Sequence, residues 1–409
     1  MDKIEKITGR EILNARGKPT VEVEVITSSG IITTASVPSG TSKGKYEAHE
    51  LYDGEKRYHG YGVKKAVNNV NTVIREAILG WDVIDQRGID RTMIALDGTK
   101  NKSRLGGNAI LATSVAVAKA GAQSVGLPLY RYLGGIKAKK LPNIVATVIS
   151  GGEFSPSGLE FEDYLLILEG FNSFADSLEA LVEMRSLLQK KLIAKYGYFP
   201  EDGGALAPPL SSTEEAFEYM LGVAREVGCE KNVSLGLDVA ANELYDPESG
   251  CYNLSKGRMS PSELISYYKK LCTDYPLTFI EDPFEQDQLA SFAELKKELP
   301  EIQIVGDDLF VTNVERIKLG IENDCANTLL FKINQIGTIS EAIDAAILAQ
   351  NNNLIITASL RSGETTDDFI ADMAVGIGAK QIKLGSPVRG ERNTKYNRLL
   401  KIESELAEF

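Results

Sequence analysis

From Val233 onward the chain alternates short apolar runs with amphipathic stretches, and this rhythm restricts the fold more than any other feature. The runs are VSLGLD (233–238), LTFIED (277–282), IQIVGDD (302–308), TLLFKIN (328–334), NLIITASL (353–360) and QIKLGSP (381–387). Their length and content suit buried strands. Between the later runs lie PSELISYYKKLCTD, DQLASFAELKKEL, VERIKLGIEN, TISEAIDAAILAQ and DDFIADMAVGIGA, which have helical character. Strand and helix alternating at steps of roughly 20–30 residues imply right-handed crossovers and a parallel sheet. IVATVIS (144–150) and YLLIL (164–168) bring the runs to eight. Eight such runs match a closed β/α barrel better than an open sheet. No GxGxxG follows a strand, which weakens a dinucleotide-binding alternative.

The first part of the chain has a different character. TVEVEVIT (20–27) alternates with the period of a half-buried strand, and SSG turns it into IITTASVP (31–38) as a hairpin. A polar loop with Gly40 and Gly44 follows, then helical stretches at 63–79, 83–96 and 108–125. The last is apolar nearly all round, so a buried helix is expected. The Gly, Pro and Lys-rich segment 126–142 marks the boundary. The expected division is an N-terminal α+β domain over residues 1–135 and a C-terminal β/α barrel over residues 136–409.

Composition narrows the partners. Lys and Arg number 45 against 57 Asp and Glu, a net charge of −12. Such a balance, without a dense basic block, argues against nucleic acid or an anionic membrane surface. There is no apolar run long enough to span a bilayer. The charged start, MDKIEKITGREILN, does not resemble a secretion signal. The four cysteines show no CxxC spacing, so free thiols in a reducing cytoplasm are expected. His49 and His59 both fall in polar N-terminal segments, which excludes histidine-based zinc or triad chemistry in the barrel.

In a β/α barrel the working groups stand at the C-terminal ends of the strands. The last polar residues of the later runs are Asp238, Glu281, Asp307, Lys332, Arg361 and Lys383. Any one of them alone reads as a solvent contact or an ion pair. Three acids followed by three cations on successive strands outweigh that reading. Converging carboxylates need a cation, and three oxygen ligands with open positions suit Mg²⁺. Lysines beside a metal and other cations can have a lowered pKa and act as bases. Together these groups suggest removal of a proton next to a carboxylate, with metal and lysine holding the enediolate charge.

Several long motifs carry a specific resemblance. REILNARGKPTVEVEV, VPSGTSKGKYEAHEL, LDGTKNKSRLGGNAILATSVAVAKA, FIEDPF, QIVGDDLFVTN, FKINQIGTISEA, RSGET and GERNTKYNRLLKIESELA occur in order along the chain. The chain resembles the enolase (phosphopyruvate hydratase) family over essentially its whole length. The resemblance implies an α+β domain capping a modified (β/α)8 barrel with one early antiparallel strand. It also implies conversion of 2-phosphoglycerate to phosphoenolpyruvate, a cytoplasmic location, and a homodimer or dimer-based octamer. Residue by residue, it assigns a first Mg²⁺ to Asp238, Glu281 and Asp307, and a second, arriving with substrate, to Ser42. Lys332 becomes the base, Lys383 the holder of the substrate carboxylate, and Arg361 with Ser362 the holders of the phosphate.

The match breaks at four places. Leu360 stands where the family has a histidine in SHRSG, and Phe154 where it has one in GG-x-H. Asp202 stands for the catalytic Glu of GDEGG, although a register shift could present Glu201 instead. Glu162 and Asp163 replace the Gln-Glu of QEF. A Glu to Asp change withdraws the carboxylate by about 1.5 Å, and misplacement of about 1 Å can cost about a hundredfold in rate. The expected defect lies in loss of hydroxide, with proton abstraction intact. Three readings follow: a diverged working enolase, a paralogue acting on another phosphate- or phosphonate-bearing carboxylic acid, and an inactive scaffold.

Overall fold

A computed structural model describes residues 1–40, 43–153, 155–255 and 257–407. The N-terminal sheet is an antiparallel meander of β1 (Ile4–Leu13), β2 (Pro19–Thr27) and β3 (Ile32–Ser36). The hairpin at SSG forms as the alternation predicts. β1 is a strand that the sequence pattern hides: an irregularity between Ile4 and Lys6 breaks the alternation, leaving Ile4 and Ile7 buried and Glu5 and Lys6 exposed. The helix Gly107–Ser124 lies against β2 and β3 and is buried along nearly its whole length, as its all-round apolar surface requires. The stretch expected as one helix at 63–79 contains a π-helical turn, Val70–Ile74. Beside that turn Asn71 exchanges hydrogen bonds with the backbone of Gly9 in β1, at 2.8 and 3.0 Å. Gly9 has no room for a side chain, since a Cβ there would sit 2.9 Å from Val70.

The second part is a closed eight-stranded barrel. Its first strands are β4 (Asn143–Ser150) and β5 (Asp163–Leu168). A short hairpin, β6 (Glu201–Asp202) and β7 (Ala205–Leu206), hangs on β4. β8 (Val233–Asp238) follows, then a side sheet of β9 (Tyr245–Asp246), β10 (Cys251–Leu254) and β11 (Gly257–Met259). The barrel continues through β12 (Leu277–Glu281), β13 (Gln303–Gly306), β14 (Thr328–Phe331), β15 (Ile355–Ser359) and β16 (Gln381–Lys383), which pairs back onto β4. All neighbours in this ring are parallel except β5, which is antiparallel to both β4 and β8. Val145, Leu165, Ile167, Phe279, Val305 and Leu330 fill the interior as a separate apolar cluster.

The crossover helices form where their sequences direct. Pro261–Asp274 opens with Ser260 and Glu263 capping each other's backbone and Pro261 in the first turn. The two parts are bound by buried polar contacts. Asp90, from the helix Gln86–Asp97, accepts from the Ser340 backbone N–H at 3.0 Å and from its hydroxyl at 2.6 Å. The Tyr130 N–H donates to Asp372 at 3.1 Å, and Arg398 holds the same carboxylate from the other side. Among the described residues no single helix is long and apolar enough to cross a membrane.

Candidate active site

One cavity at the barrel mouth is lined by Arg16, Glu162, Asp163, Asp202, Asp238, Lys332, Leu360, Arg361, Ser362, Lys383 and Arg392, among others. It gathers nine of the thirteen predicted site residues from segments far apart in sequence. Glu281 and Asp307 stand behind it, buried. Ser42 and Phe154 lie outside the described residues.

The acids and lysines are paired across the barrel. Lys383, ending β16, places its Nζ 2.7 Å from Asp238 Oδ2, 2.7 Å from Glu281 Oε2 and 3.3 Å from Asp163 Oδ2. Lys332, just after β14, pairs with Asp307 Oδ2. Gln335 Nε2 donates to the other oxygen of Asp307 at 2.6 Å. Thr312 Oγ1 accepts from the Lys332 backbone N–H and donates to Gln335. The lysine and its acid therefore share one bracing network.

Non-glycine residues with left-handed backbone stand close behind the predicted ligands: Ala240 (φ 49°) after Asp238, Asp282 (φ 41°) after Glu281, and Thr312 (φ 51°) after Asp307. Such conformations cost about 1–3 kcal/mol each and collect at functional sites. Asp282 shows what one of them does. Its two oxygens accept from the backbone N–H groups of Asp307 (3.0 Å) and Asp308 (2.8 Å), so it fixes the end of β13. Among the described residues, Asp282, Asp307 and Asp308 bring carboxylate oxygens within 4.8 Å of one another. We read Asp282 there as a brace, because both its oxygens are already engaged.

Electrostatics follow from this crowding. Burial pushes Glu281 and Asp282 far above the ordinary carboxylate range, and neighbouring acids add to the push. Burial, then the charges of Asp238 and Asp163, raise Glu162 to about 8. Burial and the charge of Asp307 raise Asp308 to about 7. Asp307 itself is held low: burial opposes ionisation, but Lys332 and Arg361 outweigh it. Lys332 corrects the expectation of a depressed lysine. Burial pulls it down, yet the Asp307 carboxylate prevails and holds it above its ordinary value.

Three carboxylates whose charge is met chiefly by lysine ammonium groups fit a cation site. Glu281 adds an independent sign, since its buried Oε1 has no hydrogen-bond partner among the described residues. An oxygen in that condition costs free energy unless a cation or donor meets it.

Arg361, after β15, is buried, and its Nη1 lies 2.8 Å from Glu47 Oε2 of the N-terminal part. Arg392 Nη1 and Nη2 donate to the carbonyls of Arg361 (3.1 Å) and Ser362 (3.4 Å). The guanidinium and its loop are thus set from two sides. The hairpin puts Asp202, and not Glu201, in the lining of the cavity. Gly203 (φ 55°) and Gly204 (φ 95°) form its two-residue turn, which needs positive φ at both positions. Asp202 then faces the cavity, while Glu201 is taken by Arg185 (2.8 Å), Gln189 (3.1 Å) and Arg389 (3.1 Å). Arg16, Glu47, Gln335 and Arg392 were missed as site residues by strand-end reasoning. Each belongs to a quoted motif, but only its position in the fold reveals its use.

Comparison with known proteins agrees with this geometry. Residues 4–133 match the family description "Enolase, N-terminal domain", and residues 138–409 match "Enolase, C-terminal TIM barrel domain". A protein named Enolase from Methanothrix thermoacetophila is 49% identical over 407 residues, covering 99% of this chain and 96% of the relative. One of the same name from Methanopyrus kandleri is 48% identical over 413 residues, covering 100% and 97%. A third, from Methanocaldococcus jannaschii, is 48% identical over 407 residues, covering 99% and 96%.

Proposed function

Because this chain belongs to the enolase family, we propose that it is a Mg²⁺-dependent hydro-lyase converting 2-phosphoglycerate to phosphoenolpyruvate. The observation that carries the reading is the single cavity in which an acid cluster, two lysines and a guanidinium converge. Asp238, Glu281 and Asp307 would hold Mg²⁺, with Ser42 assigned to a second ion. When bound, Mg²⁺ supplies positive charge against the substrate carboxylate and the enediolate that develops from it.

Lys332 takes the α-proton, and the Asp307 carboxylate paired with it governs how readily it gives up its own. Lys383 holds the substrate carboxylate, and Arg361 with Ser362 holds the phosphate through the planar fork of the guanidinium. Asp202 and Asp163 stand at the leaving-hydroxyl end, with Glu162 beside them. The family supports a cytoplasmic enzyme acting as a homodimer or dimer-based octamer.

Leu360 favours a second reading, in which the same enediolate forms on a carboxylic acid with a different leaving group. A leucine cannot donate a hydrogen bond at that end. Steady-state assay with 2-phosphoglycerate and Mg²⁺ separates the two. A kcat in the ordinary range of about 1–10³ s⁻¹ supports the first reading. Exchange of the α-hydrogen without dehydration supports the second. Absence of both, together with absence of Mg²⁺ binding, leaves only a scaffold.

A further inference from the structure

Arg16 enters the cavity from the N-terminal part, in the loop between β1 and β2. Its Nη2 lies 3.0 Å from Asp202 Oδ1 and 3.2 Å from Oδ2, so one nitrogen bridges both carboxylate oxygens. The loop that carries it is built to hold a fixed shape. Asn14 Oδ1 accepts from the backbone N–H groups of Arg16 (2.9 Å) and Lys18 (3.1 Å). Asn14 Nδ2 donates to Ser39 Oγ at 2.6 Å, and the Ala15 N–H donates to the Glu364 carbonyl at 2.8 Å. The loop is therefore tied both to its own domain and to the barrel.

We infer that Arg16 is a positioning residue that aims the Asp202 carboxylate at the leaving-hydroxyl end of the substrate. The inference rests on the reading of Asp202 as a catalytic group. Asp202 sits on a two-residue strand and is one methylene shorter than the glutamate its family places there. A short carboxylate reaches its target only if its direction is fixed. Without Arg16, the Asp202 carboxylate loses the donor that fixes its direction. Exposed ion pairs contribute little to stability, and Arg16 and Asp202 keep 30% and 27% side-chain exposure. The effect of Arg16 is accordingly on rate, with little on folding.

A double-mutant cycle with 2-phosphoglycerate and Mg²⁺ tests this. Arg16→Met should lower kcat between about tenfold and a hundredfold, the scale of a misplacement of about 1 Å. KM should stay within about threefold, and Arg16→Lys should recover part of the loss. Asp202→Asn should lower kcat at least as far, and adding Arg16→Met to it should cost nothing further, because residues acting through one contact are not additive. Multiplying effects, or a rise in KM with kcat unchanged, would overturn the inference and make Arg16 a direct substrate contact. Wild-type kcat in Arg16→Met with a crippled Asp202→Asn would overturn it while leaving the role of Asp202 standing. Wild-type kcat in Asp202→Asn, or no turnover by the wild-type protein, would instead overturn the functional reading. Thermal unfolding of each variant identifies any that fail to fold, and Arg16→Lys then carries the test.

Discussion

Lys383 Nζ lies 2.7 Å from Glu281 Oε2, and the other oxygen of that fully buried carboxylate has no hydrogen-bond partner among the described residues. The ammonium group also lies 2.7 Å from Asp238, so one lysine neutralises two of the acids assigned to Mg²⁺. Breaking a buried pair by removing one partner costs about 3–5 kcal/mol. Lys383→Met should therefore lower the melting temperature of the metal-free protein. Mg²⁺ should then recover more of the loss than it adds to the wild type. In Asp307→Ala the Mg²⁺-dependent rise should vanish. Thermal unfolding in Mg²⁺ and in EDTA measures both, and an undiminished rise in Asp307→Ala would remove that residue from the site.

Lys332 is assigned the α-proton. Incubated with 2-phosphoglycerate and Mg²⁺ in D₂O, the wild-type protein should exchange the α-hydrogen, and Lys332→Ala should not. Mass spectrometry of recovered substrate reads the exchange directly. Exchange at the wild-type rate in the variant would require another base.

Glu215 gives a pH prediction away from the site. The Tyr196 hydroxyl donates to it at 2.5 Å, and Ser211 and Lys195 add further donors. Tyr196, ahead of the opposing burial and the other donors, holds its pKa at about 2, below the ordinary 4.5. A depressed folded pKa means stability present above about 4.5 and lost as pH falls toward 2. Tyr196→Phe should cost on the order of 1 kcal/mol near neutrality. The difference from wild type should shrink across that acid window. A difference independent of pH from 7 to 2 would show that Tyr196 acts by packing alone.

Asp90 ties the N-terminal part to the barrel. Asp90→Ala leaves the Ser340 N–H and hydroxyl without their buried acceptor, at about 1–3 kcal/mol for each group left unsatisfied. Urea unfolding should show a loss of about 2–4 kcal/mol, on the same principle. A loss below about 0.5 kcal/mol, the level of a neutral surface change, would mean that water replaces the contact.

The barrel was legible in the chain because parallel strands buried on both faces must be continuous apolar runs. The strand-end rule then located Asp238, Glu281, Asp307, Lys332, Arg361 and Lys383, since each ends or directly follows its run. Asp163 shows where that rule stops. It opens β5, and it reaches the mouth only because β5 runs antiparallel, which sets Asp163 opposite Asp238. Periodicity is the same in both strand directions, so local pattern could not reveal this, and only resemblance pointed to Asp163. β1 escaped notice for a related reason, as one irregularity breaks the period on which such reading depends.

By itself the sequence determined the eight apolar runs of the barrel and the helices between the later ones, the order of acids and cations around the barrel, and the family. Tertiary structure decided which charges meet. Arg16 lies 186 positions from Asp202, and Glu47 lies 314 from Arg361, so no local pattern links either pair. The same holds for Lys332, whose raised pKa contradicts the sequence expectation. Burial alone would lower it, and the carboxylates brought beside it, first Asp307 after the neighbouring strand β13 and then Glu281, reverse the sign. Chain-local rules govern backbone form because hydrogen bonding and side-chain alternation are short-range. Protonation and side-chain aim depend on Coulomb and desolvation energies summed over whatever the fold packs within a few ångströms.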